Sequence, residues 1–545
     1  MKDFRFVYNF LKDYLKPFWG VLILMLFIGM LGIGTRLLAP YLMGVVISNL
    51  TYDASVNILI NITIILAVIF IINTVMGLIA NMLNYRTQAR LAFSINQSII
   101  KAIHNAPIFR IKDELSAGLA QKINVDSAMP SMWFANFMVL VVGNGLIVIF
   151  PFVYIFILDI SFGIIAIFSI PIFILFYKLL KKKTFESVKN HENARTEYFG
   201  VLSLQFFNYK FIKINHIGNK LIEKLRIVLH KLMKAMVYRG RIYCIFQSSG
   251  LFVELLLQGL LIIYGGILVI EGRMAIGDLV VLNIYFPMVI SSLLVFFDIG
   301  NDIQQNKMHI TRLLELRDIE AQINGNTKLD EIKSINCSNI DFSYGDKKVI
   351  HNFSQSFEAG KTYVVVGENG SGKSTIINLI LGLYTGEFSG SLKYNGIDIK
   401  DLDMKYNREK LIGVSEQEPT LVPDTIKFNI TFKEGDDIDL GIINKFIDEL
   451  GLREYVNAQK NGLDSIIDEN SSNLSGGQKQ KISIIKTLYK NPKLLVLDEP
   501  TSALDTESKT KLINYLTANK SDKITIVITH DEDFLNIADE VISFR

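Results

Sequence analysis

Cysteine is almost absent. Cys244 and Cys337 are the only two in 545 residues and fall in what read as different domains, so a disulfide framework is not indicated, and a reducing, cytosolic setting suits the non-apolar part of the chain. Net charge is nearly absent as well: a total of +3 says little by itself, and no nucleic-acid partner is expected. Met1-Lys-Asp-Phe-Arg runs through a mixed charged and aromatic stretch before the first long apolar run, so no cleavable signal peptide is visible. What the chain has in excess is apolar residues. They make up 50% of it, too many for a soluble protein and spread over too long a chain for one domain. The excess falls before about residue 300, and composition becomes ordinary for a soluble domain after about residue 325.

Six apolar stretches are long enough to span a bilayer: 18–45 (interrupted by Arg36 and Pro40), 57–83, 133–158, 160–180, 242–270 and 278–298. Lysine and arginine gather between the second and third (Arg86, Arg90, Lys101, Arg110, Lys112, Lys122) and between the fourth and fifth (Lys178, Lys181, Lys182, Lys189, Lys220, Lys224, Lys234 and others). The opposite connections are short and hold only Arg273, which places both termini in the cytoplasm of a multi-pass protein of the cell membrane. The two basic segments have few glycine or proline breakers, so they are expected to continue the spans as long cytoplasmic helices, with short helices near 116–122 and 207–216. Residues 1–16 alternate charge with aromatic and leucine side chains, predicting an amphipathic helix on the inner leaflet. Polar residues within the spans are costly. Glu254 and Gln258, one turn apart, are candidates for a substrate path, with helix packing as the plainer reading; Arg36, Asp298 and Asp302 lie nearer water.

After a boundary near Gly325-Asn326-Thr327, a strand Thr362–Val366 enters Gly367-Glu368-Asn369-Gly370-Ser371-Gly372-Lys373-Ser374-Thr375 and a helix follows. This is the context required of a G-x-x-x-x-G-K-[ST] phosphate loop. Backbone N–H groups face the phosphates, Lys373 adds positive charge, and Ser374 can ligate Mg²⁺. A second strand, Lys493 to Glu499, ends four apolar residues in two acids: Asp498 is placed to hold Mg²⁺ and Glu499 to polarise a water. Between them stands Asn473-Leu474-Ser475-Gly476-Gly477-Gln478.

With the glycine loop and the Ser475–Gln478 run in this order, residues 328–545 resemble ATP-binding cassettes. The whole chain resembles an exporter-type half-transporter of the ABC superfamily, of the bacterial peptide, bacteriocin or multidrug kind. The resemblance implies an all-α six-helix membrane domain over 17–323, with long cytoplasmic extensions, then an α/β P-loop ATPase with a helical subdomain. It implies that Tyr344 stacks on adenine, that Gln417 contacts Mg²⁺, and that Ser475, Gly476, Gly477 and Gln478 bind the γ-phosphate of ATP held by a second subunit. Asp505, in Ser502-Ala503-Leu504-Asp505, would sit at the dimer interface, and His530 would contact the γ-phosphate. Two departures stand out: Ile467-Asp-Glu-Asn470-Ser-Ser472 is less glycine-rich than usual, and the stretch after His530 is short, which should leave the ATP site intact.

The resemblance therefore implies ATP and Mg²⁺, a dimer (two copies of this chain, or this chain with another half-transporter), and membrane lipid around it. No leader-peptidase domain is expected ahead of the first span. The expected cargo is a peptide; the alternative is a hydrophobic small molecule or a lipid, carried by a multidrug exporter or flippase. A reading from another class is an ATP-binding regulator that transports nothing, against which the intact Glu499 and His530 argue.

Overall fold

The computed structural model describes residues 2–52, 56–111, 117–435, 438–469, 471, 473–502 and 504–544. Of the positions singled out above, Lys112, Asn470, Ser472 and Ala503 lie outside the described residues, as do the side chains of Lys122, Lys181 and Asp298. The chain divides into two units, one of residues 1–105 with 111–319, the other of residues 106–110 with 320–545.

The first unit is helical: α1 (Lys2–Leu15), α2 (Trp19–Tyr52), α3 (Val56–Asn105), α5 (Ala117–Leu158), α6 (Ile160–Phe207), α7 (Tyr209–Ile214), α8 (Gly218–Ile270) and α9 (Ile276–Arg317); the four-residue α4 (Ile108–Ile111) has its first three residues in the second unit. Prolines 40, 130, 151, 171 and 287 lie inside these helices, which membrane helices tolerate when neighbours satisfy the freed carbonyls. Asp159 separates α5 from α6 and caps the latter, its carboxylate accepting the Ser161 N–H at 2.7 Å. Among the described residues, five helical stretches are long and apolar enough to cross a membrane: Lys2–Thr51, Val56–Asn105, Ile123–Leu158, Gly218–Ile270 and Ile276–Phe296. The expected stretch at 160–180 lies on α6, several of whose side chains are outside the description. Ile64, Phe70, Ile71, Leu78 and Met82 of α3 are exposed, an apolar surface that suits lipid.

One expectation gains detail and another needs correction. The amphipathic helix expected over 1–16 is α1, and part of its apolar face packs on protein: Val7, Leu11 and Leu15 are fully buried in one cluster with Leu91, Ile95 and Ile99 of α3, Ile123 and Phe134 of α5, and Ile310 and Leu313 of α9. Amphipathic spacing identifies which face is buried and not what covers it. The first short helix is α4, not one near 116–122, since residues 117–122 already belong to α5. Pro107 is the signal: it cannot continue α3 and suits the start of a new turn, and Arg110 N–H donates to its carbonyl at 3.1 Å. The second short helix, α7, falls within the expected 207–216.

The second unit holds two sheets. β1 (Ser334–Tyr344), β2 (Lys347–Glu358), β4 (Ser389–Tyr394) and β5 (Ile397–Asp398) form an antiparallel sheet in the order β2-β1-β4-β5. β3 (Thr362–Gly367), β6 (Ile412–Ser415), β7 (Leu494–Asp498), β8 (Ile524–Ile528) and β9 (Glu540–Phe544) form a parallel sheet in the order β6-β7-β8-β3-β9. Helices α10 (Lys373–Ile380), α11 (Met404–Lys410), α12 (Ile426–Thr431), α13 (Leu440–Glu449), α14 (Arg453–Ala458), α15 (Gly476–Tyr489), α16 (Thr506–Ala518) and α17 (Glu532–Ile537) complete it. The inner strands are buried on both faces, which is why β7 opens on four apolar residues and β8 is apolar but for the buried Thr525. Their upper faces meet α10 and the first sheet; the opposite faces meet α12, α13 and α15.

Candidate nucleotide site

In a parallel sheet, chemistry collects beyond the carboxyl ends of the strands. Register fixes what meets there. Val365 pairs with Ile528, Ile528 with Asp498 and Leu497 with Ser415. Gly367, His530, Asp498, Glu499 and Gln417 therefore leave the sheet along one edge. A cleft of about 690 Å³ opens beside the loop, lined by Val366, Gly367, Glu368, Asn369, His530, Ser543 and Phe544. His530 is thus brought to the glycine loop across 160 residues of sequence, because β8 is the immediate neighbour of β3. Ser543 and Phe544, at the end of β9, carry no motif, and sequence reasoning missed them.

The loop is an anion cradle by its backbone. Gly370 and Gly372 have φ of +84° and +99°, a region open to glycine. Gly372 is also the N-cap of α10 and offers no side-chain acceptor, so the first-turn N–H groups of Lys373, Ser374 and Thr375 are left for a ligand. Ser371 Oγ is buried without a hydrogen-bond partner among the described residues, and a buried hydroxyl left unpaired is costly unless something fills the cradle. Lys373 is 9% exposed; its ammonium folds back to donate to the carbonyls of Gly367 (2.6 Å) and Glu368 (2.8 Å), which holds the charge over the loop.

Asp498 is half-buried, and its pKa is raised above the usual carboxylate range, first by burial and then by the neighbouring Glu499 charge, against the pull of Lys373. A cation between these carboxylates would relieve that repulsion. Glu499 itself has φ +43°, a left-handed conformation uncommon for a non-glycine residue. It is held there from two sides: its N–H donates to Ile528 O at 2.8 Å, and its carbonyl accepts from Gln480 Nε2 of α15 at 3.4 Å and from Ser502 Oγ at 3.1 Å. Gln417 and Ser374 are exposed.

Other predicted residues are placed differently. Tyr344, at the end of β1, does not line the cleft among the described residues; its hydroxyl lies 3.2 Å from that of Tyr384. The Ser475–Gln478 run also stays out of the cleft and begins α15. Ser475 Oγ accepts the Gln478 N–H at 3.2 Å, and Gln478 Oε1 accepts the Ser475 N–H at 2.9 Å, a capping box. Asp505 caps α16 and pairs with Lys481 of α15 at 2.7 Å. The Lys481 ammonium, with the Ser508 N–H, holds its carboxyl below the usual range. No motif announces Lys481 or Gln480; both lie just beyond Gln478 on the same helix. In the first unit, Gln258 donates to Asn283 Oδ1 across α8 and α9, as a packing residue does. Glu254 has no such partner among the described residues.

Two family models match the chain: ABC transporter transmembrane region over residues 22–293 and ABC transporter over residues 350–502. The ATP-dependent lipid A-core flippase of Photobacterium profundum is 35% identical over 249 residues, which is 45% of this chain and 42% of the flippase. An export ATP-binding/permease protein of Rickettsia typhi is 28% identical over 465 residues, covering 82% of this chain and 79% of that protein. The chain thus spans less than half the length of the flippase it matches. The solved structure of a bacterial Atm1-family ABC exporter with ATP bound superposes with a TM-score of 0.86 at 19% identity, over 96% of this chain and 94% of that one, and shares its fold.

Proposed function

Because the chain belongs to the ABC transporters, carrying that family's transmembrane region and its cassette in one polypeptide, we propose that it is an ATP-driven exporter working as a dimer of half-transporters in the cytoplasmic membrane, with both termini inside. The observation that carries this reading is the shared sheet edge, where Lys373, the unpartnered Ser371 Oγ, Asp498, Glu499 and His530 leave neighbouring strands, in a chain with five membrane-length apolar helices among its described residues.

ATP is the substrate of this edge. The N–H groups of residues 370–375, with Lys373, hold its phosphates; Glu499 orients and polarises the attacking water, and His530 contacts the terminal phosphate. Tyr344 stacks on adenine once the nucleotide bridges β1 and the loop. The donor set fits Mg²⁺: one carboxylate (Asp498), one hydroxyl (Ser374) and one amide (Gln417), with phosphate and water for the rest. When bound, the ion would neutralise charge developing on the phosphates. Ser475–Gln478 and Asp505 serve the nucleotide of the second subunit, which makes the dimer necessary. Closure of the cassettes on ATP would alternate the access of the helices, and release would reset it.

Two cargo classes are each favoured by an observation. A peptide, cationic in character, is favoured by Glu254 on α8, a carboxylate without a partner among the described residues; a lipid is favoured by the name of the flippase relatives. The test is ATP hydrolysis by the purified chain in lipid nanodiscs, titrated with basic peptides, lipids and hydrophobic dyes. Saturable stimulation by one class is expected and names the cargo. ATP binding with no hydrolysis under any addition overturns the homodimeric exporter in favour of a regulator or an obligate heterodimer.

A further inference from the structure

A cavity of about 300 Å³ opens in the first unit between α5 and α9. It lies at those ends of the apolar stretches 133–158 and 278–298 that are nearer the basic segments. Its α5 side is aromatic: the rings of Trp133 and Phe137 are 4.6 Å apart, and Phe4 of α1 backs Phe137 at 5.2 Å. Met129 and Met132 of the same helix add polarisable side chains. From α9 comes Asp302, the one carboxylate of the described lining. It is half-buried, accepts a hydrogen bond from Trp133 and has no ion-pair partner among the described residues. Burial raises its carboxyl above the usual range, and the Trp133 bond offsets only part of that. No lysine or arginine lines the cavity among the described residues. Arg312, further along α9, is committed elsewhere: it lies 3.0 Å from Oδ1 of the buried Asp126, the same oxygen that holds His309 Nδ1 of the lining at 2.7 Å.

We propose that this cavity binds an organic cation, an ammonium or guanidinium group, with Asp302 as its counter-charge and the Trp133 and Phe137 rings against its face. Three observations select this occupant. A half-buried carboxylate with no cation beside it calls for positive charge and excludes an anion. One carboxylate is too few for Ca²⁺ or Mg²⁺, which take several oxygen ligands, and no group of three or more His, Cys, Asp or Glu able to hold a metal occurs among the described residues. Aromatic rings beside that carboxylate attract an organic cation through their quadrupole and have nothing comparable for a neutral guest. Glu254 is not part of this lining, so the site is a second and separate one. Binding is a property of the nucleotide-free chain; that the bound cation is cargo rests on the exporter reading above.

Trp133 is one of only two tryptophans, the other being Trp19, so it can report on its own cavity. The experiment follows its fluorescence in the full chain carrying Trp19→Phe, without nucleotide and in a neutral detergent. Three probes are titrated: benzyltrimethylammonium, acetyl-arginine amide and the uncharged, nearly isosteric acetyl-citrulline amide. Both cations are expected to change the emission saturably, and the citrulline compound is not. The tighter of the two cations tells a small-molecule source from a peptide side chain. Asp302→Asn is expected to weaken the binding of both at least ten-fold, while Glu315→Gln, which removes a carboxylate from α9 outside this cavity, is expected to bind as the parent does. Should Asp302→Asn not remain monodisperse, Phe137→Leu serves, with a loss of about three-fold expected. No saturable response to either cation overturns the proposal. So does equal binding of the citrulline compound, which would make the cavity merely apolar, or an equal loss in Glu315→Gln, which would make the attraction diffuse. Because no step involves ATP, these outcomes are read separately from the hydrolysis test of the exporter.

Discussion

Glu499 joins a chemical role to an unfavourable backbone, and the two can be separated. At φ +43° a residue with a Cβ carries a penalty of about 1–2 kcal/mol that glycine does not. Glycine also gains freedom in the unfolded chain, which takes back about 0.4–1 kcal/mol. Glu499→Gly should therefore stabilise the second unit by about 0.5–1 kcal/mol, or raise its apparent Tm by roughly 1–4 °C for a unit of this size. Glu499→Gln is the reference. It removes the charge that presses on Asp498 but keeps the Cβ, so the difference between the two variants reports the backbone. Both should lose steady-state ATP hydrolysis by about 10²–10⁴-fold, the usual contribution of a positioned base, with Glu499→Gln holding ATP in a closed dimer.

Thermal unfolding of nucleotide-free protein and phosphate release at saturating ATP measure the two effects. A glycine variant that unfolds at or below the temperature of the glutamine variant would refute the strain argument: the contacts from Ile528, Gln480 and Ser502 would then be holding a comfortable backbone. Undiminished turnover in Glu499→Gln would refute the assignment of the base, whatever the melting curves show.

Two other outcomes follow from the same unit. Lys373→Met should weaken ATP binding at least ten-fold to a hundred-fold, since a charged hydrogen bond to phosphate is worth about 1.5–3 kcal/mol; filter binding within two-fold of the parent would contradict the cradle. Lys490, on the C-terminal side of α15, is pushed down from 10.5 to about 8, chiefly by burial, with Lys486 and Lys410 adding to it against Glu409. The folded state thus binds this proton less readily than the unfolded chain, and the resulting penalty is fully present below pH 8 and fades as pH rises toward 10.5. Lys490→Met should stabilise the second unit at pH 7, by on the order of 1 kcal/mol after allowing for partial exposure and the lost hydrogen bond to Arg408 O, and raise its apparent Tm accordingly. That advantage should disappear by about pH 10; an advantage independent of pH would mean that packing, not the buried charge, is the cause.

The parts of this molecule that sequence announces are those where one residue type is forced at one offset. Gly370 and Gly372 must be glycine because their φ values are positive, so the loop is legible from spacing alone. β7 and β8 are legible because a strand covered on both faces is almost wholly apolar, with the buried Thr525 the one polar position before the end of either. What depends on a distant segment is not legible. The α1 stripe shows a face but not the α3, α5 and α9 side chains that cover it. The Lys481–Asp505 pair spans two helices, and nothing in either segment requires the other. Gln258 and Glu254 looked alike as polar residues one turn apart, and only the position of Asn283 on α9 separates them. The short helix at 108–111 was legible in principle, from Pro107.

On the proposed reading Ser475–Gln478 serves the nucleotide of a second subunit, and the capping box at the start of α15 is compatible with that role. Its two bonds use acceptors: Ser475 Oγ takes the Gln478 N–H, and Gln478 Oε1 takes the Ser475 N–H. Both side chains keep their donors, the serine O–H and the glutamine NH₂. The helix that follows them adds the positive end of its dipole. With Gly476 and Gly477 as the first two helical residues, no side chain screens the backbone at that end. The arrangement is therefore locally complete as a helix start and still rich in donors for an anion. A signature that spent its donors on its own cap would hold the helix equally well and have nothing left for a second subunit's phosphate.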